Sequence, residues 1–520
     1  MNRDEMISRL EDRKTPWDIV VIGGGATGVG IAVDAASRGF DILLLEQGDF
    51  GKGTSSRSTK LIHGGVRYLQ QGNLSLVMEA LRERGILRNN APHLVHDLAF
   101  VVPNYDWWEA PFYGIGLKVY DMLAGKYGFG ASKNLSKNET LERIPTIKQQ
   151  GLRGGIIYYD GQFDDARLLI NLARTASHQG AALVNYAEVI SLQKDASGFV
   201  NGVIFRDGET EKEHHVKAKA VINATGPFTD HVLQMDDPLA APIISPSQGV
   251  HIVLDRSFLP GDSAIMVPHT RDGRVMFAIP YLGATLVGTT DTPITEVSLE
   301  PVAKEEEIEF LLETAGSYLE KAPSREDIRS IFTGIRPLVK SEEDKSTASL
   351  SRDHFLHIGK SGLLTMAGGK WTTYRQMAKL CVNHAITLGN LETRPCVTKE
   401  LNIHGYHRSA HKFGEFAIYG SDAPAILDLM RANPKYNEKI HPGLSVRVGE
   451  ILWAVRLECA RTVEDFLARR SRSLLLNARA SAEAAPKVAD VMAKELGRGR
   501  RWKKEQVASF QALSRIYLPE

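Results

Sequence analysis

Three cysteines in 520 residues are too few for a disulfide framework, and none of Cys381, Cys396 and Cys459 stands in a C-x-x-C pair. This argues against a cysteine-ligated metal or cluster scaffold and for a reducing compartment. Long apolar runs are missing as well. No stretch approaches the ~18 consecutive apolar residues that a membrane-crossing helix requires. Residues 1–14 are charged and lack an apolar core, so no secretory leader is expected at this start. No calcium-loop pattern, internal repeat or low-complexity tract occurs. Net charge is nearly absent, at +1, but the balance is uneven. From residue 397 onward there are 21 Lys and Arg against 14 Asp and Glu, leaving 42 against 48 before it. The length implies two or three domains, and 43% hydrophobic content supplies their cores.

What is present begins with residues 18–46. Asp18-Ile19-Val20-Val21-Ile22 is a β-branched strand, Gly23-Gly24-Gly25-Ala26-Thr27-Gly28 follows at once, and 29–37 reads as an Ala- and Val-rich helix. Gly23, Gly25 and Gly28 fit G-x-G-x-x-G: a tight turn, a close backbone approach to pyrophosphate, and helix–strand packing. The helix N-terminus around Ala26 and Thr27 directs free N–H groups at the phosphates. A second strand, 41–45, ends at Glu46, 23 residues after Gly23 and suited to a ribose hydroxyl. The motif indicates a dinucleotide without separating NAD from FAD.

Residues 54–69 are dense in hydroxyls and glycines around three cations, and a helix is expected from 74 to about 88. Residues 107–129 carry seven aromatics with Lys118 and Lys126 interspersed. They read as a buried aromatic helix and loop, or as an amphipathic element in a membrane interface. From 154 to about 290 short strands dominate, interrupted by a helix at 165–178, which predicts antiparallel sheet. Beyond 397 the spacing predicts helices at 423–431, 445–460, 463–477 and 483–496. Their basic residues Arg469, Arg470, Arg472, Arg498, Arg500, Arg501, Lys503 and Lys504 suit a solvated face, an anionic lipid surface, or a nucleic acid or protein partner. With only Trp502 interleaved for base stacking, no nucleic acid is expected. Two later turns have backbone suited to a cofactor: Ala224-Thr225-Gly226 at a strand end, and Gly368-Gly369-Lys370 between strand and helix.

Residues 23–28, 54–69 and 224–226, with Gly334-Ile335-Arg336-Pro337 and 368–375, together resemble the FAD-dependent glycerol-3-phosphate dehydrogenase family. The resemblance implies an α/β plus antiparallel β fold. A Rossmann-like FAD-binding domain (1–75, 150–245, 330–396) would interleave with a β-rich substrate domain (76–149, 246–329), followed by a C-terminal α-helical domain (397–520). It implies non-covalent FAD and oxidation of sn-glycerol 3-phosphate to dihydroxyacetone phosphate. Electrons would pass to membrane quinone, from a cytoplasmic, monotopic position on the inner face of the cell membrane, possibly as a homodimer. Thr54, Ser55, Ser56, Lys60, Leu61, His63, Gly369, Lys370, Trp371 and Thr372 would join the glycine turn, Glu46 and 224–226 in holding FAD. Arg67, Tyr68, Thr290, Arg352 and Lys370 would hold substrate, its phosphate dianion met by guanidinium forks and an ammonium. His251 would be the general base, and Arg336, too basic for that task, would stabilise the developing alkoxide. Gln248 stands where the family commonly has a basic residue, and is left out of the phosphate site. The rivals are an oxygen-using glycerol-3-phosphate oxidase, a flavin amine or amino-acid oxidase, and a basic binding protein with no enzymatic role.

Overall fold

The strand Trp17–Ile22 is central because its Ile and Val side chains face apolar cover on both sides, the condition for parallel sheet. It pairs in parallel with Ile42–Leu45 and with Glu213–Asn223. The sheet continues through Leu364–Gly368 to an antiparallel edge, His354–Ile358, and on the other side to Ala182–Val184. Helices Ala26–Ser37, Asp165–His178 and Tyr374–Leu388 cover one face. The computed structural model describes the chain except residues 66–73, 107–108, 269, 271–273, 341–353 and 520.

A second, mostly antiparallel sheet contains Val95–Asn104, Gly154–Phe163, Ile244–Asp255, Ser263–Val267, Met276–Tyr281, Ala284–Gly288 and Ser330–Val339. Gly154–Phe163 and Ser330–Val339 thus belong to this sheet, although they fall in segments expected to bind the cofactor. Ile244–Asp255 lies between Ser330–Val339 and Ala284–Gly288, so the register sets His251 opposite both Phe332 and Gly288. Within 107–129, the helix Glu109–Ala124 places Tyr120 in the core. Its hydroxyl donates to Asp160 at 2.7 Å and accepts the Gly64 N–H at 2.8 Å.

The C-terminal region is helical, but the helix expected over 463–477 is broken. Asp465–Arg470 winds as a π turn, Arg472 is left-handed at φ 57, and Ser473–Leu476 adds one short turn. Phe466, Leu467, Leu474 and Leu475 share one apolar core with Phe100, Tyr158, Leu286 and Phe332 of the second sheet. The basic residues here divide: Arg498, Arg500, Arg501 and Lys504 are exposed, while Arg469, Arg470 and Arg472 are not a solvated face. Arg469 and Arg470 are buried against Asp49, and Arg472 against Asp164 at 2.8 Å. Arg498 meets Glu209 at 2.6 Å and Lys503 meets Asp490 at 2.6 Å. Part of the charge asymmetry of the sequence is therefore met within the molecule.

A reversed pair crosses the same junction, where Arg167 holds Glu458, one of its two bonds measuring 3.0 Å, with both side chains 1% exposed. Arg167→Leu leaves a buried carboxylate without its main partner and should cost about 3–5 kcal/mol. The urea midpoint measures this, and a change below about 1 kcal/mol would show that Arg174, 3.9 Å from Glu458, is sufficient.

Candidate active site

The glycine turn is built by contact. Gly23 has φ +108, and a Cβ there would lie 2.6 Å from the Ala224 carbonyl oxygen. A Cβ on Gly28 would lie 1.9 Å from the Gly23 carbonyl oxygen, so Gly28 packs the helix on the turn and does not itself line the site. Gly25 caps Ala26–Ser37 without a side-chain bond, and the first turn has no acid to compete with an anion. Glu46 ends the second strand, accepting N–H bonds from Gly24 at 2.6 Å and Gly48 at 2.8 Å. Burial pushes its carboxyl up, against those two bonds.

Residues 54–63 connect everything else. Ser55 accepts the Ala26 N–H at 2.9 Å through its hydroxyl, and the Trp371 indole N–H at 2.8 Å through its carbonyl. Thr54 donates to the Ile335 carbonyl at 2.6 Å. Gly334 is needed where this segment crosses the second sheet, since a Cβ would stand 2.9 Å from the Arg57 carbonyl oxygen. Gly368 and Gly369, at φ 70 and 76, form a turn that only glycine adopts readily.

Together these elements enclose one cavity of about 1050 Å³. Ordinary small-molecule sites occupy ~300–1,000 Å³, so there is room for a dinucleotide and a small substrate. Of the expected residues, Gly23, Gly25, Ala26, Thr27, Glu46, Thr54, Ser55, Leu61, His63, Ala224, Thr225, Gly226, His251, Thr290, Arg336, Gly369, Lys370, Trp371 and Thr372 all line it. Two do not. Lys60, left-handed at φ 62, turns away and is buried against Asp165 at 2.8 Å, and Ser56 offers its carbonyl to the Lys60 ammonium at 2.6 Å. Lys60 and Ser56 thus lie behind the cavity lining and support the segment from within. Arg67, Tyr68 and Arg352 lie outside the described residues.

His251 is 3% exposed, its Nε2 is 2.9 Å from the Thr59 hydroxyl, and its ring stacks on Phe332 at 4.7 Å. Its Nδ1 has no hydrogen-bond partner among the described residues. Burial, then the nearby charges of Arg336 and Lys60, holds its pKa well below the ordinary value of 6.5. The ring is therefore neutral and ready to accept a proton at physiological pH. Arg336 bonds the Thr290 carbonyl at 2.9 Å and, more loosely, Asp291 at 3.1 Å, Thr289 at 3.2 Å and the Gln248 carbonyl at 3.3 Å. Its charge is fixed at the cavity while three of these bonds are long enough to exchange.

Several contributors escaped the sequence reading. Glu307 accepts from Thr290 at 2.9 Å, Thr292 at 2.6 Å and the Lys304 N–H at 3.0 Å, and also from Gln248. Gln248 is thereby buried toward Glu307. A signal for Glu307 existed: helical spacing sets it with Ile308, Leu311 and Thr314 on the buried face. Glu188 and Val189, which line the cavity near Glu46, carry no motif at all.

The FAD dependent oxidoreductase family profile matches residues 18–375, and the profile of the C-terminal domain of alpha-glycerophosphate oxidase matches 396–507. Human mitochondrial glycerol-3-phosphate dehydrogenase is 42% identical over 97% of this chain and 74% of that protein. The Arabidopsis thaliana mitochondrial enzyme is 41% identical over 92% and 83%. Among solved structures, Bacillus halodurans glycerol-3-phosphate dehydrogenase complexed with FAD superposes with a TM-score of 0.80 at 29% identity, covering 99% of this chain and 98% of that one. Glycine oxidase from Geobacillus kaustophilus, with a TM-score of 0.53 at 21% identity over 75% of this chain and 99% of that one, shares the fold alone. The residues around the cavity fit the FAD held by the Bacillus halodurans structure: a helix N-terminus opened by glycine for pyrophosphate, a carboxylate at the second strand end, and a close glycine turn at 368–369. On its sequence, its fold and the shape of its cavity, the chain belongs to the FAD-dependent glycerol-3-phosphate dehydrogenase family.

Proposed function

We propose that the protein oxidises sn-glycerol 3-phosphate to dihydroxyacetone phosphate and passes the electrons to membrane quinone. The observation that carries this reading is a neutral, buried His251 beside a fixed Arg336 charge, in the same cavity as the glycine turn and Lys370. FAD, when bound, supplies the two-electron acceptor for the hydride of the carbinol carbon. His251 takes the hydroxyl proton, and the Arg336 guanidinium stabilises the negative charge left on that oxygen. Lys370, with Arg67 and Arg352 assigned by family position, holds the phosphate, while Tyr68 and Thr290 shape the same end. Thr290 does so through its backbone, because its hydroxyl is taken by Glu307 and the Val250 N–H.

No helix among the described residues is long and apolar enough to cross a membrane. Support for a position on a membrane surface comes from the packed helices Leu74–Asn90 and Glu109–Ala124. These expose Leu74, Met78, Val119 and Met122. Of the basic C-terminal residues, Arg469, Arg470 and Arg472 face inward, leaving Arg498, Arg500, Arg501 and Lys504 exposed to meet anionic lipid.

The test is the visible spectrum of the purified protein and its bleaching by glycerol 3-phosphate under nitrogen. Bleaching by sarcosine or glycine instead would favour an amine oxidase. The C-terminal match to an alpha-glycerophosphate oxidase domain keeps oxygen as a second acceptor, and rapid peroxide formation in air would select it. Arg67→Ala should raise KM about 10–100-fold with little change in kcat, the size of a lost charged hydrogen bond. An unchanged KM removes Arg67 from the phosphate site.

A further inference from the structure

The loop of residues 46–53, which leaves the second strand of the cofactor sheet, has two unlike sides. Toward the cavity it presents Glu46, Gly51 and Lys52, and the Gly51 N–H ties it to the Gly24 carbonyl at 3.0 Å. Behind, it is held by the C-terminal domain. The fully buried Asp49 carboxylate accepts from Arg469 and from both terminal nitrogens of Arg470, one at 2.9 Å. Arg469 also bonds Glu464 at 2.9 Å and Asp465 at 3.0 Å, and Lys52 reaches Glu464 at 3.0 Å. Three cations and three carboxylates thus close a neutral network across the junction. A second line reaches the same loop: the Tyr186 hydroxyl donates to Asp465 at 2.5 Å while the Tyr186 N–H donates to the Gly48 carbonyl at 2.8 Å. Consecutive residues of a regular α-helix do not face one partner. The π turn Asp465–Arg470 brings Arg469 and Arg470 onto the same carboxylate.

We propose that Arg469 and Arg470 are positioning residues for the flavin: through Asp49 the C-terminal domain clamps the 46–53 loop, and retention of FAD depends on that clamp. A loop held in its binding shape before the ligand arrives spares the ordering cost, and a loop released from it binds less tightly by the fraction of time it is misplaced. The inference rests on the cofactor and not on the choice of substrate or electron acceptor.

The test follows FAD release from the holoenzyme by the rise in flavin fluorescence after dilution, alongside thermal unfolding of the holo and apo forms. Asp49→Asn should release FAD at least about tenfold faster and shrink the gap between holo and apo midpoints. Arg470→Ala should also speed release, and Arg470→Lys, which keeps the charge without the two-nitrogen fork, should release FAD more slowly than Arg470→Ala. Arg456→Ala removes an exposed pair with Glu495 in the same domain and should leave release unchanged. With FAD in excess, the substrate KM of Asp49→Asn should match the parent's. Release within twofold of the parent, or equal loss of holo and apo stability, overturns the proposal. Should Asp49→Asn not fold, the half-buried Glu464→Gln should release FAD about threefold faster, and an unchanged rate overturns it equally.

Discussion

His251→Gln should slow flavin reduction by glycerol 3-phosphate about 10²–10⁴-fold, the usual contribution of a general base, while leaving the bound flavin in place. Glutamine preserves much of the shape beside Phe332 but accepts no proton. Stopped-flow bleaching under nitrogen measures the step directly. The pH dependence follows from burial of His251 and from the positive charges of Arg336 and Lys60, which all lower its pKa. A base with a lowered pKa is active above that value and fails only as the pH falls through it. Reduction in the parent should therefore stay flat across pH 6.5, where an ordinary histidine is half protonated. The substrate phosphate has a second pKa of about 6, so saturating substrate is needed to keep its own limb out of the profile. Full activity of His251→Gln at every pH would assign the proton to another group.

Gly28→Ala should yield protein with little or no bound flavin. The new methyl would sit 1.9 Å from the Gly23 carbonyl oxygen, a backbone atom with no side-chain freedom to yield. Either the helix Ala26–Ser37 lifts or the glycine turn deforms, and both displace the backbone meant for pyrophosphate. The ratio of absorbance near 450 nm to that at 280 nm reports the loss. Gly499→Ala, which lies off the cavity and has no atom within 4 Å of its added carbon, should keep most of its flavin and serves as the comparison. A fully flavinated Gly28→Ala protein would mean that the turn tolerates a shift the close packing argues against.

The glycine turn, its flanking strands and the acid after the second strand were legible because local spacing dictates them, and their contacts with Ala224 and Leu45 follow from parallel pairing. The gathering of His251, Arg336 and Lys370 was legible only through family resemblance, since three separate strands and turns bring them together. Lys60 misled because a lysine among hydroxyls and glycines resembles an anion ligand. Nothing local reveals Asp165, 105 positions away, as its partner. The same blindness made Arg469, Arg470 and Arg472 look like a solvated stripe. Their spacing is that of a helix, while their partners Asp49 and Asp164 lie hundreds of residues earlier. The break in the 463–477 helix has the same cause, since a regular helix would not deliver adjacent arginines to one carboxylate.

The ion pairs at that junction also set an order of events during synthesis. Asp49, Asp164 and Arg167 are made early, and their oppositely charged partners across the junction lie among residues 458–472. Until the last quarter of the chain has emerged, at ~5–20 residues per second, these charges remain hydrated and the surfaces that will bury them stay apart. The cofactor half of the protein is therefore finished by a segment made some three hundred residues or more after it.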